Sequence, residues 1–179
     1  MSSVRVAERY AKSLLDLAVS SGKIDEVNSD IKLFNKSLES KDLMNLLKSP
    51  IIKESVKVGV LNKIFSEKMQ PLTMKFIQVV TRKGREDVLP EIASAFFSLY
   101  NDFKGITKVI LTSAIPLDKT TVQGIEEKLI NSGKTKKNIV MDTREDPSLI
   151  GGFILEFDNM QYDASVKGKF QRLRQKLTY

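Results

Sequence analysis

Cysteine, histidine and tryptophan are all absent from the 179 residues. Disulfides, thiolate nucleophiles, imidazole bases and Cys/His zinc sites are therefore excluded. Carboxylates, hydroxyls, lysine and arginine remain, which serve a glycosidase, a magnesium enzyme or a nucleotide site when suitably spaced. Three stretches come nearest to that. Glu156, Asp158 and Asp163 could pair as acid and base or hold a cation, but a strand's two-residue period puts Glu156 and Asp158 together on a polar face beside a turn. Asp163, just before Ser165, serves the start of a helix. Gly133-Lys134-Thr135 ends like a phosphate-binding loop, yet Lys128 replaces that loop's first glycine and the segment follows a helix instead of opening one. Gly151-Gly152 lacks the third glycine of a dinucleotide fingerprint and leads into a strand, so it reads as a bend that another segment can approach closely. No catalytic residue, cofactor or metal ligand is expected, and a binding protein is the default.

The net charge of +7 raises nucleic acid and anionic membranes as partners. The excess is spread thin: residues 1–105 hold 17 Lys and Arg against 13 Asp and Glu, and residues 106–179 hold 12 against 9. It concentrates only in the last helical pattern, where Lys167, Lys169, Arg172, Arg174 and Lys176 form a positive face. Only Tyr162, Phe170 and Tyr179 stand near it for base stacking, so an RNA-binding adaptor is the alternative reading and an acidic protein helix the better partner. No apolar run reaches the 18 residues of a membrane span, and Met1-Ser2-Ser3 leads straight into an amphipathic pattern without a signal peptide.

The elements that must position these residues follow from periodicity. Val4, Ala7, Ala11, Leu14, Leu15 and Ala18 share helical spacing over residues 4–20, with Ser2 and Ser3 as caps and Gly22 as the stop. Val6, Tyr10 and Leu17 widen the apolar arc to about half the circumference, beyond the roughly 100° that one core needs. The helix therefore either touches a second apolar partner or lies centrally in its bundle. Ile24 to Glu39 reads as a second helix, and Lys41 to Lys48, capped by Ser40 and ended by Pro50, as a third. Val56, Val60, Leu61, Ile64 and Phe65 mark a fourth, Leu72 to Val80 behind Pro71 a fifth, and Leu89 to Phe103 a sixth. At Gly105 the period changes. Ile106 to Ala114 alternates as a strand, a helix runs through Ile125 and Leu129 behind Asp118 or Thr120, and strands follow at Asn138 to Asp142 and Gly152 to Phe157. Asp158-Asn159 reads as a hairpin turn, and a final helix carries Val166, Phe170, Leu173 and Leu177. The expected fold is α+β: a six-helix N-terminal bundle over 1–105 and a small α/β domain over 106–179.

Two stretches are distinctive as sequence. Asp146-Pro147-Ser148-Leu149-Ile150-Gly151-Gly152-Phe153-Ile154-Leu155 is followed by Tyr162-Asp163-Ala164-Ser165-Val166-Lys167-Gly168-Lys169-Phe170. In order and spacing they resemble the C-terminal signature of the delta subunit of rotary ATP synthases, the oligomycin-sensitivity-conferring protein family. Ala7-Glu8-Arg9-Tyr10-Ala11-Lys12-Ser13-Leu14 looks like that family's opening pattern, and the resemblance spans nearly the whole chain. Ala164, Lys167 and Phe170 depart from the residues usual in the signature.

The resemblance implies a non-catalytic stator subunit, peripheral at the cytoplasmic face of the bacterial cell membrane. Its bundle would cap the catalytic head and its C-terminal domain would grip the peripheral stalk. It implies the N-terminal helix of the head's alpha subunit in a groove beside the first and fifth helices, with Ala7, Tyr10, Ala11, Leu14, Phe76, Val79 and Val80 as contacts. Ala11→Asp is then expected to abolish that binding and leave the fold. The C-terminal helices of the stalk's b subunit are expected around Gly151, Gly152, Tyr162, Asp163, Ser165, Val166, Gly168 and Leu173. The membrane is reached only through the complex, and nucleic acid is not a partner.

Overall fold

The computed structural model of the chain describes residues 3–133, 135–136, 138–158 and 160–177, and the side chains of all of these except 3, 176 and 177. Ser2, Lys134, Asn159 and Tyr179, together with the side chains of Ser3, Lys176 and Leu177, lie outside the described set. The chain divides into two compact units, Met1–Tyr100 and Asn101–Tyr179. The architecture is α+β, with helices throughout the first unit and a four-stranded mixed sheet in the second.

In the first unit α1 spans Ser3–Ser20, α2 Ile24–Ser37, α3 Lys41–Lys48, α4 Glu54–Phe65 and α5 Pro71–Arg82. A single 3-10 turn, Glu86–Val88, leads into α6, Leu89–Lys104, whose residues from Asn101 on fall in the second unit. The amides of Gly22 and Lys23 close α1 by bonding to the carbonyls of Val19 and Ala18. Ser40 holds the N-cap position of α3 but makes no side-chain capping bond. The N-terminus of α5 is served from another helix instead. Asp30 of α2, buried, accepts the Gln70 amide at 2.9 Å and the Thr73 hydroxyl at 2.6 Å, placing a carboxylate where the α5 dipole is positive.

One core fills this unit. Ala7, Ala11, Leu14 and Ala18 of α1 meet Val27, Ile31 and Phe34 of α2, Leu61 and Phe65 of α4, Ile77 and Val80 of α5, and Ile92 and Phe96 of α6. The rings of Phe34 and Phe65 pack at 5.6 Å. Helix α4 departs from its sequence pattern, because Val56 and Ile64 are exposed whereas Lys57 is 2% exposed. Its ammonium donates to the carbonyls of Leu47 and Ser49 at 3.1 and 2.7 Å and to Glu86 Oε1 at 2.5 Å. The cation thus occupies the C-terminal end of α3, where carbonyls lack partners, and ties it to the 3-10 turn before α6.

In the second unit β1, Ile106–Ser113, is followed by α7, Lys119–Asn131, β2, Asn138–Glu145, a 3-10 turn, Pro147–Leu149, β3, Phe153–Phe157, β4, Met160–Asp163, and α8, Val166–Leu177. The strand order is β2-β1-β3-β4. β1 and β2 run parallel from Ile106↔Asn138 to Ser113↔Glu145, with α7 as the crossover that parallel pairing requires. β1 pairs antiparallel with β3, and β3 with β4. Val109, Leu111, Leu155 and Phe157 of the sheet pack with Leu129 of α7 as the core. β2 continues three residues past its expected end at Asp142, because Thr143, Arg144 and Glu145 keep the register with β1.

Removing one partner of a buried ion pair leaves the other charge desolvated, which costs about 3 kcal/mol or more. Glu86→Ala is therefore expected to lower the stability of the first unit by about 3 kcal/mol, read as a fall in the urea midpoint with an unchanged m-value.

Candidate functional site

Surfaces available to partners are what remains after each unit has built its core. On the first unit the turn after α1 and the proline start of α5 leave the two helices flanking an open groove of about 540 Å³. Leu17, Ser21 and Lys23 form one wall and Pro71, Leu72, Lys75, Phe76 and Val79 the other. The Tyr10 ring meets Phe76 edge to face, centroids 6.4 Å apart. Tyr10 and Phe76 are half-buried, and Val79 is 51% exposed.

The other residues nominated for this surface lie elsewhere. Ala7, Ala11, Leu14 and Val80 are at most 2% exposed and belong to the first unit's core. Ala7, Ala11, Leu14, Leu15 and Ala18 of α1 face the core, whereas Val6 and Tyr10 are half-buried and Leu17 is exposed, so the residues that widen the apolar arc are those the core leaves uncovered. Ala11→Asp is accordingly a core substitution that buries an unpaired charge, not a surface change. Leu17 and Leu72 were missed as groove residues. Their signal was present, since Leu17 stands seven residues after Tyr10 and Leu72 four before Phe76, each on the same helix face as its partner.

On the second unit most of the nominated residues hold one another. Gly152 has φ +75°, and a Cβ there would stand 2.5 Å from the Ala164 carbonyl oxygen. The Gly151 carbonyl accepts the Val166 amide at 2.9 Å, and the Phe153 carbonyl accepts that of Ala164 at 3.0 Å. Asp163 Oδ1 accepts the Ser165 amide at 2.8 Å, and Ser165 Oγ accepts the Gly168 amide at 2.9 Å, a side-chain cap on the first turn of α8. A Cβ on Gly168 would fall 2.0 Å from Asp163 Oδ2, so only glycine leaves room for that carboxylate. Gly151, Gly152, Asp163, Ser165 and Gly168 thus form a clasp joining the bend before β3 to the start of α8. Val166 is half-buried beside it.

The exposed apolar surface of this unit lies next to the clasp. Tyr162, 60% exposed, stands on the wall of an apolar cleft of about 640 Å³ between α7 and the β3–β4 hairpin, with Ile125, Leu129, Phe153, Leu155 and Phe157. Ile150, Phe170 and Leu173 are 72%, 63% and 54% exposed. The cleft went unnoticed in the sequence, although Gly124 on α7 and Ser132 just after it mark where little side chain is presented toward it.

The polar groups are arranged for structure. The Ser165 hydroxyl and amide hold the Asp163 carboxyl below its ordinary range, aided by Arg172. Asp146 is lowered by the Ser148 hydroxyl and amide, and Asp118 by the hydroxyls of Thr120 and Thr121 at the start of α7. Glu156 accepts from the Gln161 amide at 3.3 Å, and Asp158 sits in the hairpin turn with φ +45°. Among the described residues no group of three or more Asp and Glu side chains is placed to hold a metal. A carboxyl lowered in the folded state adds stability above its unfolded value of about 4, and that stability is lost as pH falls through the folded value. All three lowered carboxyls belong to the second unit. Its melting temperature is expected to drop below about pH 4, with a shallower drop in Asp163→Asn, as followed by calorimetry.

No helix among the described residues is long and apolar enough to cross a membrane. The family model for the ATP synthase delta (OSCP) subunit matches residues 6–177. A Christiangramia forsetii protein named ATP synthase subunit delta is 34% identical, the match covering 99% of this chain and 95% of that one. Its namesake in Cytophaga hutchinsonii is 35% identical, covering 99% and 97%. A chain of the Toxoplasma gondii mitochondrial ATP synthase hexamer shares the fold with a TM-score of 0.76 at 19% identity, covering 97% of both chains. Alignment over almost every residue, including the clasp and the groove helices, makes this chain a member of the ATP synthase delta (OSCP) subunit family, a stator-associated and non-catalytic component of that complex.

Proposed function

We propose that this subunit links the catalytic alpha/beta head of a proton-translocating ATP synthase to its peripheral stalk, so that the head resists rotor torque. Residues 1–105 act as a six-helix bundle that binds the head, and residues 106–179 as the domain that binds the stalk. The observation supporting this reading is that each unit keeps exposed apolar side chains beside its core, Leu17 and Val79 at the α1–α5 groove in one, and Tyr162 at the cleft with Phe170 and Leu173 of α8 in the other. A linker must hold two partners at once, and unfilled apolar grooves accept amphipathic helices.

In the groove, the N-terminal helix of the alpha subunit lays its apolar face on Tyr10, Leu17, Phe76 and Val79, while Ala7, Ala11, Leu14 and Val80 support these positions from the core. The C-terminal helices of the b subunit rest on Tyr162, Val166 and Leu173. Gly151, Gly152, Asp163, Ser165 and Gly168 hold that surface in shape. The subunit is peripheral at the cytoplasmic face of the bacterial cell membrane and meets the membrane only through the complex. Resistance to torque favours slow dissociation, and nanomolar affinity, about −12 kcal/mol, is the matching scale. The RNA-adaptor alternative has no observation in its favour. Lys167 reaches the Ser148 hydroxyl at 3.4 Å and Arg172 the Asp163 carbonyl at 3.2 Å, so part of the basic face serves its own unit.

Calorimetric titration of the full chain with a synthetic alpha-subunit N-terminal peptide is expected to give one-to-one binding with a negative heat-capacity change. Val79→Asp, at an exposed position, is expected to weaken it at least about a hundredfold, close to 3 kcal/mol, with helicity unchanged. Normal binding by that variant would refute the groove. Leu173→Asp is expected to release the b subunit in co-purification and keep the alpha peptide. Retention of b would move the stalk off α8.

A further inference from the structure

The groove's charge pattern says more about its occupant than its apolar lining does. Of the eight residues lining it, the two that carry charge are both lysines, Lys23 at the turn after α1 and Lys75 on α5. Both are exposed, and they border the apolar strip of Leu17, Leu72, Phe76 and Val79. Arg82, seven residues beyond Lys75 and likewise exposed, continues the cationic row on the same face of α5. At the foot of α5, Asp30 is buried and accepts the Gln70 amide and the Thr73 hydroxyl, and is not ion-paired with either lysine. Lys23 Nζ lies 3.5 Å from Gln70 Oε1, a neutral partner.

We infer that Lys23 and Lys75 are specificity-determining residues, and that the groove selects an amphipathic helix whose apolar stripe is bordered by carboxylates. The inference rests on the head-binding reading above and adds the chemistry of the partner. Exposed charges contribute little to a finished contact, because water and salt screen them. They act earlier, raising the rate at which a helix of opposite charge arrives in register and disfavouring one with basic flanks. Apolar contacts then set how long it stays.

The test uses the full chain and a fluorescently labelled alpha-subunit N-terminal peptide in stopped-flow mixing, at ionic strengths of about 20 mM and about 500 mM. Lys23→Glu/Lys75→Glu is expected to slow association about tenfold or more at low salt and to change dissociation less than about threefold. The difference between the proteins should collapse at high salt. Lys23→Gln/Lys75→Gln should fall between them, and a peptide with its carboxylates replaced by lysine should reverse the order. Circular dichroism checks that the variants keep their helicity.

An association rate unchanged within about twofold by the charge reversal, while wild-type protein binds and Val79→Asp does not, overturns the lysine role and leaves the groove standing. Failure of the wild-type protein to bind, or equal binding by Val79→Asp, removes the groove reading and this inference with it.

Discussion

Helix α1 works under one constraint: its inner face must be small. Ala7, Ala11 and Ala18 are almost wholly covered, and their methyl groups allow the neighbouring helices to pack close to the α1 backbone. Leu14 then fills the centre. A larger side chain at any of the three would push a neighbouring helix outward, since interiors are packed near crystal density. Because its inner face is fixed on several sides, α1 presents Leu17 and Ser21 to the groove from a rigid support. A groove of this kind is formed before a partner arrives, which lowers the ordering cost of binding.

The first unit is further organised by polar groups that act between elements rather than within them. Asp30 serves the start of α5, and Lys57 serves the end of α3 while joining Glu86 before α6. Each solves the same problem, a helix terminus whose backbone groups lack partners, and each solves it with a side chain from another helix. The position of α5, and so the second wall of the groove, depends on a carboxylate of α2. The second unit closes its own α8 terminus with local residues instead, within six positions from Asp163 to Gly168.

Much of this was legible in the residues. Apolar spacing located the helices, alternation located β1 and β3, and two adjacent glycines before a strand signalled a close approach, which Gly152 and the Ala164 carbonyl make concrete. What could not be read was tertiary. Lys57 looks like a surface lysine because nothing local reveals that Glu86, 29 residues away, is brought beside it. The end of β2 was hidden because an edge strand tolerates polar residues, so Thr143 to Glu145 carry no alternation. A groove does lie between α1 and α5, but four of the residues expected to line it are in the core. An apolar arc records which positions avoid water, and does not distinguish those covered by the chain from those left for a partner.

Helix α8 is held at one end. Its first turn is closed by Ser165 and Asp163, while residues 169–175 are exposed. Twelve residues rising about 1.5 Å each give a rod of roughly 18 Å. The clasp's hydrogen bonds all fall on the first turn and Arg172 returns to Asp163, so whatever force reaches the exposed outer half of this rod passes into the unit through one short stretch of chain.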